Sequence, residues 1–233
     1  MKMNKILALA AAAVLSLTAS GQGSRWSYGI QAGLTAHTTT GTLSDNFKGC
    51  VGFTAGITAD WQRLRLKGDV TYGQPSFRNQ NMYSIHDADG HDAQLNAVAH
   101  ASHVGISAQA GYTVARIGRL SITPAAGVYY SRYSWRLNDI EWDTDEHGEE
   151  YFKVTDTHST RQGRVSWIAS VDFDIRLHDA YTDVLGSQQR LRSSLRVTPW
   201  LTHISHKSVV PSVGGMQLGV NVVYSGLLMS LEP

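Results

Sequence analysis

The stretch from Arg63 to Tyr72 alternates charged or polar residues with apolar or small ones, in the order R-L-R-L-K-G-D-V-T-Y. A β-strand sends successive side chains to opposite faces, so this segment would have one charged face and one apolar face. Such a strand fits two environments. If the apolar face points outward, the surrounding solvent is lipid and the chain is a membrane barrel. If that face points inward, the chain is a barrel in water.

Seven further segments repeat the alternation. The eight segments cover, approximately, residues 26–35, 50–59, 63–72, 103–114, 120–130, 164–174, 190–201 and 217–224. Most of them reach the roughly 9–11 residues that a tilted strand needs to cross a bilayer. Long polar connections alternate with short turns, as in barrels with long external loops and short periplasmic turns. The pattern predicts an all-β fold over residues 22–233, an eight-stranded antiparallel up-and-down transmembrane barrel.

Two prolines fall inside these segments, Pro124 in the fifth and Pro199 in the seventh. Proline has no backbone N–H and cannot donate a hydrogen bond to a neighbouring strand. We therefore expect a local bulge or break at each proline.

Residues 1–21 have the pattern of a secretory signal peptide. Lys2 and Lys5 precede the apolar run Ile6–Leu17, and small residues follow before a predicted cleavage near Gly21–Gln22. The run is shorter than the roughly 20 apolar residues of a membrane-spanning helix. The prediction is a cleaved signal peptide followed by one barrel domain.

The charge balance argues against a nucleic-acid partner, and the cysteine content excludes an internal disulfide. Without Lys2 and Lys5, 18 basic residues stand against 19 acidic ones, so a nucleic-acid partner is not indicated. Cys50 is the only cysteine and cannot form an internal disulfide. We expect Cys50 to be a small packing residue in a Gly-rich strand.

Three features favour a lipid-facing apolar surface. The polar positions of the first, second and fourth segments are mostly Gly, Ser, Thr and Gln, where a surface in water would carry more Lys and Glu. Aromatic residues fall near the ends of the apolar stripes, as in interfacial girdles. Charges of both signs concentrate in a few strands, where they could neutralise one another inside the barrel. The predicted lumen network is Arg63, Arg65, Lys67, Asp69, Arg164, Asp172, Asp174, Arg190, Arg192 and Arg196.

With this pattern the chain resembles the small eight-stranded outer-membrane β-barrels of Gram-negative bacteria, of the porin-family or OmpA/OmpX-like kind. The segment from Gln217 to Tyr224 resembles the C-terminal signal that the barrel-assembly machinery reads, although the chain continues beyond Tyr224. The resemblance implies an outer-membrane location with both termini in the periplasm. It also implies contact with outer-membrane lipid and lipopolysaccharide, and with the assembly machinery during insertion. A soluble lipocalin-like barrel remains the alternative fold.

The pair His203 and Ser205 is the candidate for chemistry. Its spacing and surroundings resemble the last hairpin of the lipid A deacylase barrels, which implies Ser205 as nucleophile and His203 as base. The chain departs from that family at His206, where the family has Asn, and at Gln217, near which the family has an orienting acid. A second His-x-Ser begins at His100, so the motif is not specific.

Between residues 139 and 150 the chain is strongly acidic, and its alternation predicts that two strands continue as a hairpin above the membrane. Such a hairpin could bind cations that bridge lipopolysaccharide, or a protein partner. We find no zinc motif, EF-hand spacing, phosphate loop or nucleotide fingerprint, and we expect no cofactor and no metal site. An eight-stranded lumen filled by side chains also argues against a pore. The main hypothesis is a non-enzymatic outer-membrane barrel, structural or partner-binding through its external loops, and the alternative is the esterase.

Overall fold

The computed structural model describes most of the chain after the predicted signal peptide. The described residues are 26–41, 43–44, 47–77, 81–86, 92–96, 98–144, 146–148, 150–184, 187–204 and 214–230, with the backbone alone at 77–99, 137–142, 150–155, 157–158, 160, 182–189 and 228–230. The signal-peptide prediction therefore lies outside the described residues. No helix among the described residues is long and apolar enough to cross a membrane.

Eleven strands are present in the described ranges. They are β1 (Trp26–Thr39), β2 (Phe47–Trp61), β3 (Leu64–Phe77), β4 (Asn81–His86), β5 (Asp92–Asn96), β6 (Val98–Tyr112), β7 (Ala115–Ile117), β8 (Leu120–Thr144), β9 (Glu150–Val184), β10 (Ser187–Ile204) and β11 (Gly215–Ser230). The long strands follow the alternating segments of the sequence and extend each of them at one end or at both. The short strands β4 and β5 form a separate two-stranded hairpin in the connection between β3 and β6.

Eight long strands form one closed antiparallel barrel. The hydrogen-bonded order is β6-β3-β2-β1-β11-β10-β9-β8, and pairing of β6 with β8 closes the ring. The first and last strands pair from Ser27 with Met229 to Thr39 with Gln217. Closure leaves no unpaired sheet edge along the wall. The predicted eight-stranded antiparallel barrel is confirmed.

The wall has an apolar outer face and a polar inner face. On β3, Val70 and Tyr72 are 50% and 46% exposed, whereas Arg65, Lys67 and Asp69 are buried inside. Other outward side chains include Ile30, Leu34, Val51, Phe53, Ile57, Leu66, Ile106, Val128, Val165, Trp167, Val220 and Val222. This polarity is the inverse of a barrel in water, and it is the one predicted from the alternation.

Both prolines coincide with breaks in strand pairing, as predicted. The β6–β8 ladder ends at Gly111 with Ala125, and pairing resumes on β7 beyond the position that faces Pro124. The β9–β10 ladder lacks the pairs at Thr198 and Pro199, although Pro199 stays in register with β11. The missing N–H of each proline accounts for the break.

One end of the barrel carries tight turns, at Gln62–Arg63 between β2 and β3 and at Gly118 between β7 and β8. We call it the turn end and the opposite one the loop end. At the loop end β8 and β9 stay paired to Thr144 and Glu150, beyond the last β6–β8 pair, so the predicted acidic hairpin is confirmed. Gly148 adopts a positive φ of 83° in its turn, a conformation that glycine tolerates.

Strand β11 continues to Ser230, so Tyr224 lies within the strand and not at its end. Residues beyond Tyr224 still pair with β1, as Leu228 does with Tyr28. The residues after Tyr224, where the chain departs from the resemblance to the assembly signal, therefore lengthen the last strand of the barrel.

Candidate functional site

The half of the lumen toward the turn end holds a network of charged side chains, here called the charged layer. Its members are Arg65, Lys67, Asp69, Asp172, Asp174 and Arg196. Asp172 is fully buried at its centre, and one of its oxygens accepts hydrogen bonds from Lys67 Nζ (2.6 Å) and Thr198 Oγ1 (2.9 Å). Arg65 Nη1 lies 3.4 Å from the other oxygen of Asp172.

The layer continues across the lumen from strand to strand. Asp174 accepts hydrogen bonds from Arg65 and, at 2.6 Å, from Arg196 Nε. Arg196 also donates to the side-chain carbonyl of Gln31, whose amide nitrogen donates to Asp69. Inside the barrel three cations balance three carboxylates: Asp172 and Asp174 form ion pairs, and Asp69 joins the network through Gln31.

A seventh charged group closes the layer at the turn end. Asp60 receives two hydrogen bonds from Arg65, from Nε at 2.8 Å and from Nη2 at 3.0 Å. Such a bidentate pair fixes the orientation of the guanidinium as well as its charge. Gly56 leaves room nearby, since a Cβ there would lie 2.2 Å from Asp69 Oδ1.

The other half of the lumen, toward the loop end, is filled by rings and is here called the aromatic layer. Its members are His37, His103, Tyr129, Tyr133 and Trp200. The ring centroids lie 4.9 Å apart for His37 and His103, and 4.6 Å apart for His103 and Tyr133. Glycines receive the large rings: a Cβ on Gly219 would lie 2.3 Å from the Trp200 ring, and one on Gly105 the same distance from the Tyr129 hydroxyl.

A further cluster of buried side chains lies beyond the aromatic layer, toward the loop end. Its buried side chains are Leu43, Phe47, Ala101, Tyr133, Trp135 and Ile204. Phe47 lies against Tyr133, with ring centroids 4.9 Å apart. The lumen is therefore filled at two levels and covered at the loop end.

Cys50 belongs to the aromatic layer as well. It is directly opposite His37 in the β1–β2 register, and both side chains face inward. Three donor atoms lie within 4.8 Å of one another, one each from His37, Cys50 and His103. The sequence pattern does not indicate this cluster, because the first alternating segment ends at about residue 35, before His37, whereas β1 continues to Thr39.

Four of the arginines predicted for the lumen lie elsewhere or at its mouth. Arg63 is exposed in the β2–β3 turn, where the strand alternation no longer applies, so its prediction was wrong. Arg164 keeps the inward parity of β9, but its side chain is exposed. Arg190 and Arg192 are half-buried toward the turn end, where both pair with Asp179 at 3.0 and 3.2 Å.

Of the two residues predicted for the esterase, the structure describes His203 and not Ser205. His203 is exposed on the outward parity of β10, opposite Met216, and its carbonyl accepts a hydrogen bond from Ser166. Ser205 lies outside the described residues. Gln217 is fully buried and donates to the Tyr133 hydroxyl. Gln217 thus lies on the opposite side of the wall from His203 and cannot orient that ring.

The geometry defines a class, a closed eight-stranded barrel with an apolar exterior and a filled polar lumen. No protein-family model matches the chain. No curated protein matches it either.

Solved structures with a similar backbone are outer-membrane proteins. The attachment invasion locus protein Ail of Yersinia pestis is 9% identical, with a TM-score of 0.46 over 87% of this chain and 98% of Ail. OprG from Pseudomonas aeruginosa is 8% identical, with a TM-score of 0.40 over 91% of this chain and 99% of OprG. The N-terminal barrel domain of Pseudomonas aeruginosa OprF is 14% identical, with a TM-score of 0.35 over 88% and 99%. Because these TM-scores are below 0.5, the fold assignment rests on the strand pairing of this chain.

Proposed function

We propose that this chain is a non-enzymatic outer-membrane barrel with a closed lumen, acting through its lipid-facing wall and its external hairpins. The observation that carries the proposal is the filling of the lumen at two levels. Asp172 and Lys67 occupy the charged layer, and His103 and Trp200 occupy the aromatic layer. A solute path through the barrel would have to displace both layers, and single unpaired charges in the first would be costly.

The wall supports the membrane part of the proposal. Outward residues such as Val165 and Phe53 are 72% and 69% exposed, which is costly in water and favourable in lipid. In this proposal lipid and lipopolysaccharide surround the wall, and the barrel-assembly machinery inserts the chain after its signal peptide is removed. Fractionation of cells tests the location, and the mass of the mature chain tests cleavage near Gly21–Gln22.

Bilayer conductance tests the closed lumen directly. The refolded mature chain, judged folded by its heat-modifiable migration on a gel, should insert without conductance steps, while a general porin under the same conditions conducts. Regular conductance steps from the folded chain would overturn the proposal.

The β8–β9 hairpin is the external surface that we assign to partner contact. It projects beyond the last β6–β8 pair, and its turn residues Glu146, His147 and Gly148 are exposed. The acidic composition of residues 139–150 suits cations that bridge lipopolysaccharide, or a basic protein surface. Replacing residues 141–153, which pair with one another across the hairpin, by a two-residue turn should leave the barrel heat-modifiable and reduce calcium-dependent binding of lipopolysaccharide. If the shortened chain binds lipopolysaccharide, and proteins from outer-membrane extracts, as well as the full hairpin does, the assignment is contradicted.

The esterase hypothesis stays a prediction. Its test is the acylation of lipid A in cells that carry the wild-type chain or the Ser205→Ala variant. Identical lipid A mass spectra for the two would remove it.

A further inference from the structure

The three soft and borderline donors of the aromatic layer come from three different strands. His37 lies on β1, Cys50 on β2 and His103 on β6. The β1–β2 register sets His37 opposite Cys50. Gly73 separates Cys50 from β6: it pairs with His103, and a Cβ at Gly73 would lie 2.4 Å from Cys50 Sγ. Without a side chain at Gly73, the thiol and the second imidazole can approach each other.

All three side chains are buried and their donor atoms converge. The residues are 6%, 2% and 2% exposed for His37, Cys50 and His103, and the donor atoms lie within 4.8 Å of one another. Donors bound to one ion with metal–sulfur and metal–nitrogen lengths near 2.3 and 2.0 Å are about 3.3–3.8 Å apart. The cluster would therefore contract by about 1 Å to bind, which side-chain rotation can supply.

Hydroxyl groups already hold the two rings. His103 Nε2 lies 3.0 Å from Ser131 Oγ and 3.4 Å from the Tyr129 hydroxyl, and His37 Nε2 lies 3.5 Å from the Tyr133 hydroxyl. Hydrogen-bond partners of this kind orient the imidazoles of metal sites and fix their tautomers. The rings of the cluster thus have the outer partners that a metal site needs.

We propose that His37, Cys50 and His103 form a binding site for a single Cu⁺ ion inside the lumen. A thiolate with two imidazoles is a donor set for soft and borderline ions, which restricts the ion to the class of Cu⁺ and Zn²⁺. Charge decides between them. Binding releases the thiol proton, so Cu⁺ with one thiolate is neutral, whereas Zn²⁺ with the same ligands keeps a positive charge in a site lined by Trp200 and Tyr133.

The number of available ligands also favours Cu⁺ over Zn²⁺. Zinc takes four ligands, and a three-ligand zinc site holds a water as its fourth. Aromatic rings surround the cluster, and no fourth His, Cys or carboxylate joins it among the described residues. A three-coordinate ion needs no such water. The covering cluster of Leu43, Phe47 and Trp135 further predicts that the ion enters during folding and leaves slowly.

Metal content of the folded chain tests the site. The mature chain is refolded in detergent with Cu⁺ under ascorbate, then dialysed against a Cu⁺ chelator, and copper per folded barrel is measured by mass spectrometry. The expected result is about one copper per barrel, with one sulfur and two nitrogen neighbours in X-ray absorption. Folded wild-type chain that retains no copper would overturn the proposal, and so would preferential retention of zinc from an equimolar mixture.

Ligand variants localise the ion. Cys50→Ser, His37→Gln and His103→Gln should each reduce retained copper about tenfold or more. His100→Gln is the matched control, because His100 is an exposed histidine on the same strand as His103. Heat-modifiable migration restricts the comparison to folded chains. Copper that is retained equally by Cys50→Ser and by the wild type would place the ion elsewhere and refute the assignment.

Discussion

The charged layer and the aromatic layer fill the same barrel with different chemistry. In the charged layer, Asp172 and Asp174 are held by strong, directional ion pairs with Lys67, Arg65 and Arg196. In the aromatic layer, Trp200 and Tyr133 fill space by contact, helped by glycines and a few neutral hydrogen bonds. We therefore expect removal of a single charge from the charged layer to lower the free energy of unfolding strongly. In the aromatic layer the free energy of unfolding should change in proportion to the volume that is lost or added.

Removing the central carboxylate should have the largest effect. Asp172→Ala leaves the buried Lys67 without its ion-pair partner, whereas Arg65 keeps Asp174 and Asp60, and breaking a buried pair in this way costs about 3–5 kcal/mol. The free energy of unfolding in detergent, followed by tryptophan fluorescence in urea, measures the loss. A decrease under about 1 kcal/mol would show that water reaches Lys67 and that the layer is not closed.

The double variant Lys67→Met, Asp172→Leu sharpens this prediction. Replacing both members of a buried pair by apolar residues is often close to neutral, so the double variant should recover most of the stability lost by Asp172→Ala. If the double variant is as unstable as the single one, the loss comes from packing at Asp172 and not from charge.

The aromatic layer is tested by adding volume. In Gly219→Ala the new Cβ would lie 2.3 Å from the Trp200 ring, so the ring must move, at a cost of about 1–3 kcal/mol. Gly226→Ala on the same strand is the control, because no heavy atom lies within 4 Å of the added Cβ. Equal stability of the two variants would mean that Trp200 is not packed against β11.

These two layers differ in how far the sequence could predict them. Alternation places Arg65, Lys67 and Asp69 on one face of β3 without any knowledge of neighbouring strands, and the small polar residues and aromatic positions of the other segments predict that this face is the inner one. The His37–Cys50 pair depends on the β1–β2 register and on β1 continuing to Thr39 through a polar run that looks like a loop. Register and strand ends are tertiary properties, which the chain specifies only once the barrel is closed.

The same reasoning explains the errors within the charged layer. Arg63 was assigned to the lumen by extending the alternation one residue into a turn, where Gln62 has a positive φ of 56° and the period is lost. Gln31 and Asp60 were missed because a neutral amide and a residue at a strand end give no signal in a pattern of charges. Both complete the network through hydrogen bonds to Arg196 and Arg65.

Within the aromatic layer, Tyr133→Phe removes one hydroxyl and little volume. The Gln217 amide loses its acceptor and His37 loses a neighbour at 3.5 Å, so the free energy of unfolding should fall by about 1 kcal/mol. Tyr224→Phe is the control, since Tyr224 is exposed on the outer wall. A decrease as large as that expected for Asp172→Ala would erase the distinction between the layers.

The smallest effect should come from an ion pair outside both layers. Asp179 contacts Arg176, Arg190 and Arg192 toward the turn end, where all four side chains reach solvent. Because water screens these charges, Asp179→Asn should lower the free energy of unfolding by about 0–1 kcal/mol, and less at high salt. Asp172→Asn is the matched comparison, with the same change of charge at a fully buried position. If the two substitutions cost the same, burial is not what makes the charged layer sensitive, and the contrast between the layers has no electrostatic cause.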